Sequence, residues 1–494
     1  MTRRDALAGL ALANILLIRS WFLAGTYAYL GSGLPMTRAR AGLIALWLLL
    51  AAALALLSAW SRKGPWPFRI TAWTYALLLL LPADWVLRNA AGIALPLITD
   101  RAGVAVGMVA ALLLSVTLVQ RVLVRIVPLA LLPIVLVTVG YAALPMFARP
   151  VEASPLRQPE RQTSPDGARV LWLLFDELDY RLIAGERENA PTLPAFKALM
   201  SEAFVATQAT SPERKTLSAI PSIFTGRHVR TATPSGRDLI LRFDEGGGRW
   251  ATQASPFTRV REKNFWTGIV GWYHPYCDAL PGQFDWCEWT PFTTERHQSA
   301  SIVEATLKQA QEAAGAFSLL FRNNLDQTLQ TQAQLEQARH EHFDVWRRAD
   351  ARGKALALAQ RPGLAMIHYP VPHAPGILQL VSPAESWTGY LGNAVLADRT
   401  LAALRADLEA SGRWTDTVIV VSADHAWRTA RPSDPRVPLI IKLPGAAAHA
   451  TYDHEISLMV LHDLLPRLVQ REIATTDQLG VYLSRAAASA TSNR

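Results

Sequence analysis

Apolar residues are spread so unevenly along this chain that two different solvents are implied. The first 147 positions are mostly Leu, Ala, Val and Ile, whereas the remainder reads like a soluble α/β protein. Five apolar segments stand out, near 7–30, 41–60, 70–87, 102–119 and 127–147. Each is close to the ~20 residues that a helix needs to cross the hydrocarbon core of a bilayer. One such segment could be a buried helix of a soluble protein; five in succession predict an all-α transmembrane bundle of five helices. The first has no clear small-residue cleavage site and is followed by further spans, so it reads as retained rather than as a removed leader.

Basic residues flanking the spans set their direction. With the N-terminus inside, the inner flanks carry Arg3, Arg4, Arg62, Lys63, Arg69, Arg121 and Arg125, and the outer flanks Arg38, Arg40, Arg88 and Arg101. This bias favours an N-in topology, and an odd number of spans then places everything after Phe147 outside the cytoplasm. The expectation is a multi-pass protein of a bacterial inner membrane. Arg19 and Asp84 fall inside or at the edge of spans, where ionisable groups mark either function or a structural pair.

Residues 148–168 are rich in Pro and charge without apolar periodicity, as in an extended linker. The expected organisation is a membrane domain over 1–147, this linker, and an extracytoplasmic domain over 169–494. In the last part RVLWLLF (169–175), FWTGIVGWYH (265–274), LAMIHYPVPHAP (364–375), TVIVVSADHAW (417–427) and VPLIIKLPG (437–445) read as strands. Helical patterns fall near 191–203, 255–263 and 387–411, and 299–360 reads as solvated helices. Strands alternating with helices predict a doubly wound, mostly parallel α/β sheet. The formal charge of +9 suits nucleic acid, anionic lipid or anionic substrates. Zinc-finger spacing, RNP-type motifs and basic helices are all missing, which argues against nucleic acid.

The segment SPERKTLSAIPSIFTG (211–226) carries hydroxyls and two cations, Arg214 and Lys215, into an apolar helix start. Backbone N–H groups and the helix dipole favour an anion there, so Thr216 is a candidate nucleophile on a phosphate or sulfate ester. Its other reading is an N-cap. Strand ends supply Asp176, Glu177, Asp424 and His425, and open α/β sheets place ligands at the carboxyl ends of their strands. Carboxylates with imidazole suit a divalent transition metal such as zinc or manganese. His274 and His373 follow strands converging on that edge and fit pocket roles, whereas His368 lies within a strand and reads as packed.

Taken in order, FDELDY, TLSAIPSIFTG, SADHAW and VPLIIKLPG resemble the alkaline phosphatase superfamily in its sulfatase-like branch, over roughly residues 169–470. The resemblance implies metal ligation by Asp176, Thr216, Asp424 and His425, with Glu177 standing where sulfatases have a second Asp. Sulfatases carry a Cys or Ser nucleophile within C/S-x-P-x-R; here Thr216, Ser218 and Ile220 occupy those places. The sulfatase Gly-Lys-Trp-His run is Gly271-Trp272-Tyr273-His274 here, without the Lys. A Thr nucleophile behind five spans is instead similar to membrane-anchored phosphoethanolamine and phosphoglycerol transferases. Their substrate-phosphate histidine resembles His373. Arg428 and Arg431 follow His425 where a further ligand would stand, which argues against a complete second metal site.

The resemblance implies metal-dependent transfer, with zinc or manganese as cofactor and a phospho-Thr intermediate on Thr216. A phospholipid would be the donor and an envelope lipid or glycan the acceptor, with His274, His373, Arg214 and Lys215 binding substrate. Two alternatives stand beside it: a phosphodiesterase or sulfatase-like hydrolase using the same Thr, and a catalytically silent membrane scaffold. The only cysteines, Cys277 and Cys287, would form a disulfide in an oxidising compartment or stand as two buried thiols.

Overall fold

The computed structural model describes residues 1–21, 29, 36–91, 112, 114–143, 156–157, 161–188, 190–291, 301–318, 332–378, 389–428, 434–445 and 448–492. The chain forms two compact units. The first comprises Met1–Ala28, Gly33–Glu152 and Thr293–Thr331; the second comprises Tyr29–Ser32, Ala153–Phe292 and Gln332–Arg494.

In the first unit, helices α1 (Arg3–Leu16) and α2 (Met36–Trp60) lie antiparallel, and α3 (Pro65–Ala91) follows. Gly9 lets α1 approach the backbone of α2, because a Cβ there would strike the Ala51 carbonyl. At the same end Asp5 pairs with Arg62 and accepts from the Ser58 hydroxyl. The helix Ile302–Ser318 also belongs to this unit, where Gly42 of α2 leaves room for Ala305. Among the described residues, two stretches, Arg40–Lys63 and Thr117–Thr138, are long and apolar enough to cross a membrane. The five-helix bundle expected from the sequence is therefore reduced here to two candidates. Most of the fourth expected span, the ends of the first and fifth, and the Asp84 side chain in the third lie outside the described residues, as does most of the expected linker.

The second unit is built on a nine-stranded sheet. Its strands are β1 (Leu156–Arg157), β2 (Arg169–Phe175), β3 (Phe204–Ala206), β4 (Trp266–Tyr273), β5 (Trp286–Pro291), β6 (Gly363–Tyr369), β7 (Thr417–Ala423), β8 (Leu439–Lys442) and β9 (Ala450–Tyr452). The spatial order is β1-β5-β4-β6-β2-β7-β8-β3-β9. The run from β5 to β7 is parallel. β8 is antiparallel to both β7 and β3, and β1 to β5. The sheet is thus mixed and mostly parallel, as the alternating pattern predicts.

β2 is buried from Val170 onward because the central strands of such a sheet are covered on both faces, hence its unbroken apolar run. Helix α4 (Thr216–Thr225) precedes a small antiparallel sheet over Val229–Arg249. Helix α5 (Gln332–Ala359) packs on β4, β5 and β6 and against α6 (Tyr390–Ala410), while α7 (Leu461–Val469) packs on β2 and β6 and against α4. Register fixes the site: Tyr369, Phe175 and Ala423 are level across β6, β2 and β7. Asp176 and Asp424, one residue further on, therefore leave the sheet side by side.

Candidate active site

Thr216 is the first residue of α4, and Lys215 before it is the N-cap, with no side-chain capping bond. The Thr216 hydroxyl is thus not a cap. It donates to Asp424 Oδ2 at 2.6 Å and lies 3.3 Å from His425 Nε2. The neighbouring hydroxyls point elsewhere: Ser211 donates to the carbonyls of Glu213 and Asp424, and Ser218 to that of Lys215.

Asp176, Asp424 and His425 are buried, and one ligand atom from each lies within 4.8 Å of the others. His425 Nδ1 faces the Ala426 carbonyl at 3.0 Å. A carbonyl only accepts, so Nδ1 carries the proton and Nε2 presents a lone pair to the Thr216 oxygen. Both carboxylate oxygens of Asp176 are buried without a hydrogen-bond partner. Burial first, then the charges of Asp424 and Glu177, push its carboxyl well above the usual range. Burial works the same way on Asp424, but His425, His368 and the Thr216 hydroxyl outweigh it and hold that carboxyl low. Orphaned carboxylate oxygens facing an imidazole lone pair form a donor set suited to a divalent cation.

Glu177, an expected ligand, lies outside this group. Its backbone adopts φ +67°, a left-handed conformation uncommon for a residue with a Cβ. That turn aims its N–H at Asp424 Oδ1, 2.9 Å away, and sends its carboxylate to Arg428. Tyr390 supports the turn by donating to the Glu177 carbonyl at 2.6 Å, and its ring stacks on Trp427 at 4.0 Å. Arg428 also reaches His373 Nε2 at 3.0 Å. Sequence reasoning placed Arg428 nearby without a role; its position five residues after β7, close behind the acidic strand ends, was the available signal.

His274, expected to meet substrate, is fully buried and supports the nucleophile from behind. Its Nε2 donates to the Thr216 carbonyl at 3.0 Å, and its Nδ1 bonds the hydroxyl of Tyr29, part of the same unit. Burial pushes its pKa down to about 3, so the ring is neutral. His373 stands in the loop after β6, its N–H donating to the Asp176 carbonyl at 3.1 Å. Arg214 and Lys215 are exposed beside Thr216, and Arg214 donates to the Arg428 carbonyl at 3.3 Å. Of the two readings of the cysteines, the bonded one holds: Cys277 and Cys287 are joined, linking the short helix Tyr276–Ala279 to β5.

This arrangement belongs to a known class. The chain matches the Sulfatase family over residues 169–471 and is a member of it. A sulfatase from Pseudoalteromonas sp. is 17% identical, with 62% of this chain and 69% of that one covered at a TM-score of 0.40. A phosphonate monoester hydrolase from Silicibacter pomeroyi is also 17% identical, with 61% and 73% covered at 0.39. An alkaline phosphatase superfamily protein from Vibrio parahaemolyticus is 14% identical, with 64% and 69% covered at 0.38. No curated protein matches the chain. Enzymes of this superfamily use a metal ion, and the Asp176–Asp424–His425 group could bind one.

Proposed function

We propose that this protein is a membrane-anchored, metal-dependent transferase that moves a phospho-linked headgroup from a phospholipid to an envelope lipid or glycan. The observation that carries the reading is the Thr216 hydroxyl, turned away from its helix and into the acidic, imidazole-bearing group at the strand ends. Thr in place of the sulfatase Cys or Ser favours phosphoryl over sulfuryl chemistry. The apolar helices favour a lipid donor, and the Cys277–Cys287 bond favours an oxidising, extracytoplasmic compartment.

Zinc or manganese bound by Asp176, Asp424, His425 and Thr216 would lower the pKa of the hydroxyl and neutralise the oxygens of the ester. Asp424 Oδ2 holds the Thr216 proton and orients the oxygen for attack on phosphorus. The Oγ1–P bond forms, the P–O bond to diacylglycerol breaks, and the departing alcohol takes up a proton. Arg428, Arg214, Lys215 and His373 would receive the remaining phosphoryl oxygens. An acceptor hydroxyl then attacks the phospho-Thr and releases Thr216 with its proton restored. In the hydrolytic alternative water takes the acceptor's place.

The test is turnover of a labelled phospholipid by the purified full chain, with and without an envelope glycolipid fraction. Label reaching the acceptor, with little release in water alone, supports transfer. Fast release that no acceptor alters would establish the hydrolase instead.

A further inference from the structure

The three residues of the proposed metal group are not equally supported. Asp424 accepts from the Thr216 hydroxyl and the Glu177 N–H, and His425 is anchored on the Ala426 carbonyl. Asp176 has no hydrogen bond to either carboxylate oxygen, although ligating carboxylates are ordinarily oriented by an outer layer of hydrogen bonds. Beyond that group, the described polar side chain facing it is His368, on β6, the strand beside β2. His368 is fully buried and its Nε2 has no hydrogen-bond partner; that atom lies 3.8 Å from Asp176 Oδ2. Its other nitrogen, Nδ1, is 2.9 Å from the hydroxyl of Tyr276, itself fully buried beside the Cys277–Cys287 bond.

The tautomer follows from charge. With a metal bound Asp176 is ionised, and in that state a proton on Nε2 faces the carboxylate while Nδ1 accepts from the Tyr276 hydroxyl. We propose that His368, locked by Tyr276, is a positioning residue that orients Asp176 for metal binding. This role rests on the metal reading above. It also explains a histidine that packing alone does not require, since the surrounding strand Gly363–Tyr369 is otherwise apolar apart from its terminal tyrosine. His368 acts from behind the carboxylate; it is not a ligand.

The experiment is competitive titration of Zn2+ and Co2+ into the metal-free full chain in detergent, against a chelator of fixed affinity. His368→Leu should weaken binding about 10–100-fold, the usual cost of losing an outer-layer partner. His368→Gln, whose amide N–H can face Asp176, should restore most of the affinity, and Tyr276→Phe should fall between the two. The Co2+ visible spectrum should be the same in His368→Gln and wild type, because no ligand is lost. Circular dichroism of each metal-free variant separates these effects from misfolding, and Tyr276→Phe carries the test if His368→Leu does not fold. Wild-type affinity in both His368→Leu and Tyr276→Phe would overturn the proposal, as would a Co2+ spectrum altered by His368→Gln, which would make His368 a ligand. If the wild type itself binds no divalent metal, the metal reading fails. If it binds and the variants match it, only the role of His368 fails.

Discussion

Replacing Asp176 by Asn should stabilise the metal-free protein while abolishing metal binding. Asp176 is fully buried with two unpartnered oxygens, and its carboxyl titrates well above the usual value of 3.8 because of burial and the nearby charges of Asp424 and Glu177. The folded state therefore holds a proton on Asp176 that the unfolded chain has released. Between pH 3.8 and the raised folded value, the unfolded state binds fewer protons, so this carboxyl contributes stability that declines as pH rises. Asn removes the titration and leaves one buried amide, whose unmet hydrogen bonds cost about 1–3 kcal/mol. Keeping a proton on Asp176 at neutral pH, about three pH units above the unfolded value of 3.8, costs more than that. We expect the variant to gain about 1–3 kcal/mol on wild type at neutral pH, or about 2–5 °C in Tm for a unit of this size. The gain should shrink toward pH 4. The assay is thermal unfolding of the metal-free full chain in detergent across that range, repeated with zinc. Wild type should gain about 2.7 kcal/mol at a metal concentration 100 times Kd, and the variant nothing. A variant less stable than metal-free wild type at neutral pH, or one still stabilised by zinc, would refute the reasoning.

Arg428→Met should raise KM for the phosphodiester more than it lowers kcat, in steady-state assays. It should also cost about 1–3 kcal/mol in chemical denaturation, because it strands the buried Glu177 carboxylate. Cys277→Ser with Cys287→Ser should lower stability by about 2–4 kcal/mol, read as a fall in denaturation midpoint. Non-reducing alkylation should leave both wild-type cysteines unlabelled.

Much of the catalytic unit was legible because its central strands announce themselves. RVLWLLF and TVIVVSA are apolar through their centres, and each is followed directly by a carboxylate at the same level of the sheet. Strand ends thus located Asp176, Asp424 and His425, and the hydroxyl-rich helix start located Thr216. The strand Trp286–Pro291, next to the edge of the sheet, went unread: short, interrupted by Glu288 and Thr290 and ending in Pro, it carries the signals of a turn. Adjacency in sequence also gave no view of side-chain direction. Glu177 follows Asp176 directly, but its left-handed backbone turns its carboxylate to Arg428, 251 residues away. His274 follows a strand toward the site, yet the ring folds behind Thr216. His368 looked like packing because burial and position on a strand are visible in sequence, whereas the unpartnered nitrogen facing Asp176 is not.

Phosphorylation of Thr216 during turnover is the most direct test of the proposed chemistry. The full chain, incubated with metal and phospholipid, is quenched in acid, digested and examined by mass spectrometry. The peptide containing Thr216 should carry the phospho-linked headgroup at that residue, and an acceptor glycolipid should discharge it. Thr216→Ser should retain some of the adduct, and Thr216→Ala, folded as wild type, should have none. An adduct on Ser211 or Ser218, or full turnover by Thr216→Ala, would contradict the assignment of Thr216 as the nucleophile.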